Sequence, residues 1–115
     1  KDILDLKIEL QIEEIIMKPI TVSTICLIIN ELFTNSIKYA FKSQNDFRIN
    51  ISLTRSDNQI TLIFKDNGIG LPDSFSFETS ESFGLKLVNI LVKKINGKLE
   101  SQNNNGAEYR IEFNL

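Results

Sequence analysis

Ile60-Thr61-Leu62-Ile63-Phe64-Lys65-Asp66-Asn67-Gly68-Ile69-Gly70-Leu71-Pro72 is the stretch whose reading decides the architecture. Ile60, Leu62 and Phe64 recur with period two, the signature of a strand with one apolar face. Asp66 keeps their parity, which points it to the core side, and a carboxylate there is costly unless hydrogen-bonded. Gly68, Gly70 and Pro72 then end the strand. Upstream, Phe47, Ile49, Ile51 and Leu53 alternate with Arg48, Asn50, Ser52 and Thr54. This second strand joins the first through the turn Ser56-Asp57-Asn58, so the two run antiparallel.

Further out, Leu4, Leu6, Ile8, Leu10 and Ile12 alternate with charged and polar residues and predict a half-buried strand. Pro19 breaks the chain after it. Thr21 or Ser23 is expected to cap a helix running to about Phe41. Ile25, Ile28, Ile29, Leu32, Phe33, Ser36 and Ala40 share one side of that helix, and Glu31, Thr34, Asn35 and Lys38 the other. A polar loop spans Lys42 to Asp46. Downstream, Asp73 to Ser82 shows no period and reads as a mobile loop. Phe83 to Ile95 predicts a second helix closed by Asn96-Gly97. Leu99 and Ser101 lead to a hairpin turn at Asn103-Asn104-Asn105-Gly106, and Tyr109, Ile111 and Phe113 form the last strand. These elements predict an α/β (α+β) two-layer sandwich: a mixed, mostly antiparallel sheet with helices packed on one face. No repeat or linker interrupts residues 1–115, which read as one domain.

Composition narrows the function classes. Apolar residues make up 42% and charged residues 24%, which is globular rather than disordered. The net charge of −2 argues against a nucleic-acid partner, which a basic excess normally serves. The single cysteine, Cys26, excludes an internal disulfide and a cysteine-based zinc site, and its apolar neighbours predict a small core residue. No apolar run is expected to reach the roughly 18 residues of a membrane span, and the first residues lack a signal-peptide pattern. A cytoplasmic module is expected. The chain contains no histidine, which removes histidine acid–base and metal chemistry.

Three places carry chemistry. Asp66 can accept a hydrogen bond from an amino group such as adenine presents, with Gly68 and Gly70 allowing close approach. An Asx-turn at a strand end is the commoner use of Asp-Asn-Gly. Glu31, Asn35 and Lys38 stack on one helical face. Asn35 offers a hard carbonyl oxygen to Mg²⁺, Lys38 a charge for phosphate, and Glu31 a base for a nucleophile. A solvated polar face has the same appearance. Gly84, at the start of the second helix, offers free N–H groups to a phosphate, as any helix start does. A Walker-type loop is absent.

The order of these pieces is distinctive. Asn30-Glu31-Leu32-Phe33-Thr34-Asn35-Ser36-Ile37-Lys38-Tyr39-Ala40-Phe41 resembles the asparagine box of the gyrase, chaperone, histidine-kinase and mismatch-repair ATPase superfamily. Asp66 to Pro72 is similar to its first glycine box, and Phe83-Gly84-Leu85-Lys86-Leu87-Val88 to its second. Asn105-Gly106-Ala107-Glu108-Tyr109-Arg110-Ile111 resembles the closing strand, and the wording of the boxes is nearest to sensor histidine kinases. The resemblance implies ATP and Mg²⁺ as cofactors. Asp66, Gly68 and Gly70 would receive adenine, Asn35 would bind the metal, Lys38 would contact phosphates, and Tyr39 would line the pocket. Gly84 and its neighbour Leu85 would meet the phosphates, with Glu31 and Lys38 as the catalytic side chains. The second glycine box carries only Gly84, and Ala107 replaces a frequent threonine. The expected activity is protein histidine kinase, acting on a histidine in a separate dimerisation domain and through it on a response regulator. Such a parent is compatible with a membrane anchor or a dimer. An ATP-hydrolysing or serine-kinase member of the superfamily, and a degenerate regulatory nucleotide module, are the alternatives.

Overall fold

The computed structural model describes residues 5–41, 46–80 and 82–115; Leu4 of the first predicted strand, residues 42–45 of the polar loop and residue 81 lie outside them. Five strands form one sheet in the order β1-β2-β3-β5-β4. They are β1 (Leu6–Ile12), β2 (Phe47–Ser56), β3 (Gln59–Asp66), β4 (Lys98–Asn103) and β5 (Ala107–Asn114). β1 and β2 pair in parallel, and every other pairing is antiparallel. Helices α1 (Pro19–Asn35) and α2 (Phe83–Lys94) complete the fold. The expected mixed sandwich with helices on one face is what forms.

Strand parity builds the core. Phe47, Ile49, Ile51 and Leu53 of β2, Ile60, Leu62 and Phe64 of β3, and Tyr109, Ile111 and Phe113 of β5 are all buried. They meet Ile25, Ile28 and Leu32 of α1 and Leu85, Val88, Leu91 and Val92 of α2. Asp66 ends the inward row of β3 and is only 2% exposed, so its side chain shares the core side with Phe64.

Several local expectations are corrected. β1 is not half-buried: Ile8, Leu10 and Ile12 are 46–62% exposed, because β1 is a sheet edge and no helix among the described residues covers it. α1 starts at Pro19 itself, with Lys18 at the cap position and no side-chain cap; neither Thr21 nor Ser23 caps it. Proline suits the first helical position, where its missing N–H has no partner to lose. Thr24 instead bonds back to the Ile20 carbonyl at 2.8 Å. Cys26 is exposed on α1 and is not a core residue. The helical run Pro19–Ala40, 22 residues with an 18-residue window of mean hydropathy 1.4, does have the length and composition of a membrane span. Asn30, Glu31, Asn35 and Lys38 interrupt it, and it serves here as the helix packed on the sheet.

α1 also does not continue regularly to Phe41. After Asn35 it widens into a π-helical turn, Ser36–Ala40, in which Ser36 and Ala40 are buried. Wide turns of this kind re-aim side chains and concentrate at functional sites. This one ends against the glycine segment: Ile69 N donates to the Ala40 carbonyl at 3.0 Å. A Cβ on Gly68 would come 2.6 Å from Ala40 Cβ, so that approach requires glycine.

Candidate nucleotide site

Asp66 is a buried carboxylate bound through both of its oxygens. Its Oδ1 accepts from Gly68 N at 2.9 Å and Ala107 N at 3.0 Å, and its Oδ2 accepts from Ser36 Oγ at 2.8 Å. The first of these bonds is an Asx-turn, so the commoner reading of Asp-Asn-Gly is realised. It does not exhaust the residue. A carboxylate has about four lone-pair sites, and Asp66 also lines a cavity of about 690 Å³, a size suited to a small ligand. The remaining acceptor site can take a hydrogen bond from a ligand amino group.

The cavity lies between α1, the glycine segment, the loop after it and β5. Of the residues expected from the sequence, Asn35, Tyr39, Asp66, Gly70 and Leu85 line it. Glu31, Lys38, Gly68 and Gly84 do not line it. Gly68 sits behind the wall, packed on Ala40. Lys38 is exposed on the wide turn. Glu31 faces the start of α2, where a Cβ on Gly84 would fall 2.8 Å from its Oε1. Gly84 therefore leaves room for the Glu31 carboxylate beside the positive end of the α2 dipole, a favourable placement for a negative charge.

Asn35 sits at a junction. Its Oδ1 accepts from Ser82 Oγ at 3.0 Å, and Ser82 Oγ in turn accepts from Leu85 N at 3.2 Å, capping α2. Asn35 also lies near enough to Tyr109 to act on its phenol. Tyr109 is 1% exposed; burial raises its phenol pKa, and the nearby Asp66 charge raises it further, with the Asn35 side chain acting in the opposite sense. The phenol thus stays neutral beside Asp66. Ser36, Ser82 and Tyr109 were not singled out as site residues in the sequence. Ser36 left the clearest trace, as a hydroxyl on the apolar side of α1.

The loop after Pro72 is anchored by aromatics. Phe77 is buried, and its ring meets Phe75 edge-on at 4.9 Å and Tyr109 at 6.1 Å. Ser74, Phe75, Ser76 and Thr79 of this loop contribute to the cavity wall. A second cavity of about 630 Å³ lies near Leu115, where apolar Ile16, Met17, Ile20, Ile95 and Phe113 share the lining with Lys18, Thr21, Thr24, Lys94 and Asn114.

Among the described residues no cluster of acidic, histidine and cysteine side chains could hold a metal by itself. The donor set fits Mg²⁺ nonetheless. A hard cation that keeps its waters and rides on phosphates needs one or two protein oxygens, and the Asn35 amide oxygen at the cavity wall is of that kind.

Fold and site together define a nucleotide-binding ATPase-type domain, and residues 21–115 match the family model described as histidine kinase-, DNA gyrase B- and HSP90-like ATPase. The chain belongs to that family. Within it, the chain is 34% identical over 79 residues to the sensor histidine kinase PdtaS of Mycobacterium tuberculosis, covering 67% of this chain and 16% of that protein. It is 28% identical over 82 residues to blue-light-activated histidine kinase 1 of Erythrobacter litoralis, covering 71% and 23%. The histidine kinase domain of the Erythrobacter litoralis EL346 blue-light-activated kinase superposes with a TM-score of 0.86 at 20% identity, over 96% of this chain and 52% of that one. The mycobacterial sensor histidine kinase MprB superposes with a TM-score of 0.74 at 18% identity, over 95% and 83%. The chain thus spans less than a quarter of the length of these two curated relatives.

Proposed function

We propose that this domain binds Mg·ATP and donates its γ-phosphate to a histidine on a separate helical dimerisation domain, which passes it to a response regulator. The observation that carries the reading is Asp66: a buried carboxylate, held by three protein hydrogen bonds, with acceptor capacity left at a cavity wall. An adenine amino group supplies the matching donor. Gly70 lets the base approach the backbone, and Tyr39 closes one side. Asn35 would hold Mg²⁺, which supplies charge neutralisation on the phosphates. Lys38 adds a cation from the wide turn, and the first N–H groups of α2 add donors. In the transfer, the bond from Pγ to the leaving ADP oxygen breaks and a bond from a histidine nitrogen forms. The protein's part is positioning and electrostatics. The acceptor lies in another segment, since this chain has no histidine. Use of the cellular ATP pool implies a cytoplasmic location.

Glu31 bears on the choice between kinase and ATPase. It faces Gly84 and the α2 start rather than the cavity, which favours transfer over activation of water. The test is incubation with γ-labelled ATP, with and without a histidine-containing dimerisation segment from the parent protein. Label is expected on that segment only, with negligible hydrolysis by the chain alone. Rapid hydrolysis abolished by Glu31→Gln would assign the ATPase activity instead.

A further inference from the structure

We infer that Asn103 is a positioning residue for the nucleotide cavity, and that the β4–β5 turn is a bracket built to hold the glycine segment rather than a plain hairpin connection. The inference rests on the reading of the cavity as an adenine-nucleotide site. β3 leaves its ladder at Asp66, and beyond Asn67 its backbone pairs with no strand among the described residues. Leu71 solves this with a side chain. Its N–H donates to Asn103 Oδ1 at 2.7 Å, and its carbonyl accepts from Asn103 Nδ2 at 2.9 Å. A primary amide presents donor and acceptor side by side, as a strand's peptide groups do, so Asn103 substitutes for the missing strand.

The same turn grips the other end of the segment. Ala107 N donates to Asp66 Oδ1, and a Cβ on Gly106 would overlap the Asp66 carbonyl. Asn103 and Ala107 are directly paired across the β4–β5 ladder, so the two grips belong to one rigid unit. Between them lie Gly68 and Gly70. Gly70 has φ +83°, and a Cβ on it would sit 2.7 Å from Asn103 Oδ1. Gly70 is thus demanded by the clamp as well as by the approach of a ligand. Gly70 and Leu71 both line the cavity, so the clamp sets the wall geometry. Asn103 is exposed, and its two bonds to Leu71 can be replaced by water if it is lost. Its effect should therefore fall on the order of the segment and on binding, and little on global stability.

The test uses the whole chain and ADP without magnesium, which keeps it independent of the role of Asn35. Titration calorimetry, thermal melting and amide exchange at Leu71 are measured for wild type, Asn103→Ala, Asn103→Asp and Asn104→Ala. Asn104 lies in the same turn but bonds Glu108, away from the glycine segment. Asn103→Ala is expected to weaken ADP about five- to tenfold and to speed Leu71 exchange, with melting close to wild type. Asn103→Asp keeps the acceptor for Leu71 N and should fall between, and Asn104→Ala should bind as wild type does. Unchanged affinity and Leu71 exchange in Asn103→Ala would overturn the proposal. So would a loss of affinity accompanied by a matching fall in melting temperature and faster exchange throughout. Failure of the wild type to bind ADP would overturn the nucleotide reading beneath it.

Discussion

Asp66 and Tyr109 show how single side chains acquire their chemistry from what surrounds them. Asp66→Asn is nearly isosteric. The Asn oxygen can keep the bonds from Gly68 N and Ala107 N, and Ser36 Oγ can turn to accept from the new amide. The site left for a ligand amino group changes from acceptor to donor, with no such rearrangement open to adenine. The fold should persist while adenine-nucleotide affinity falls at least about tenfold, the loss of one buried charged hydrogen bond worth about 1.5–3 kcal/mol; calorimetric titration of the mutant checks it. Tyr109 makes a prediction about pH. Its folded-state pKa is raised, so above about pH 10 the unfolded chain releases this proton while the native state keeps it. Native stability therefore declines as pH rises beyond that point. Tyr109→Phe should show a shallower alkaline decline in urea-denaturation midpoint than wild type.

At the scale of elements, the junction of α1 with α2 controls access to Asn35. Ser82 does two things at once: it caps α2 through Leu85 N and occupies Asn35 Oδ1. If Asn35 holds Mg²⁺, metal and Ser82 compete for one oxygen. Ser82→Gly removes the hydroxyl while costing only a few tenths of a kcal/mol of capping. It should tighten nucleotide binding in magnesium and leave magnesium-free binding unchanged, read from thermal shifts in the two conditions. Asn35→Ala should lose the magnesium dependence altogether. The Asp73–Ser82 loop belongs to the same junction. It has no sequence period, yet Phe77 packs on Tyr109, so its anchoring depends on a partner more than 30 residues away.

The whole molecule distributes its stability unevenly. The sheet centre is covered by helices and the β1 edge is not. Leu62, fully buried in β3, should cost about 2–5 kcal/mol on truncation to alanine. Leu10, 62% exposed in β1, should cost within about 0.5 kcal/mol on replacement by threonine. Urea denaturation of both mutants tests the contrast, and a large loss at Leu10 would show that β1 is buried in solution. The nucleotide cavity lies where five pieces of the chain converge: the end of α1 with its wide turn, the glycine segment, the loop after it, the start of α2 and β5.

Periodicity in the sequence was enough to determine the strands and helices, their one-sided core and the inward aim of Asp66, because these follow from local geometry repeating every two or about 3.6 residues. The four boxes in order were enough to indicate the family. What tertiary structure alone decided are contacts between residues distant in sequence. Ser36 is 30 residues from Asp66, Asn103 is 32 from Leu71, and Ser82 is 47 from Asn35. Periodicity shows Ser36 on the apolar side of α1 but names no partner for it, and it shows nothing of the other two contacts. The exposure of β1 and of Cys26 was hidden for the same reason: an apolar pattern states which face can be buried, and only the packing of other elements determines whether it is.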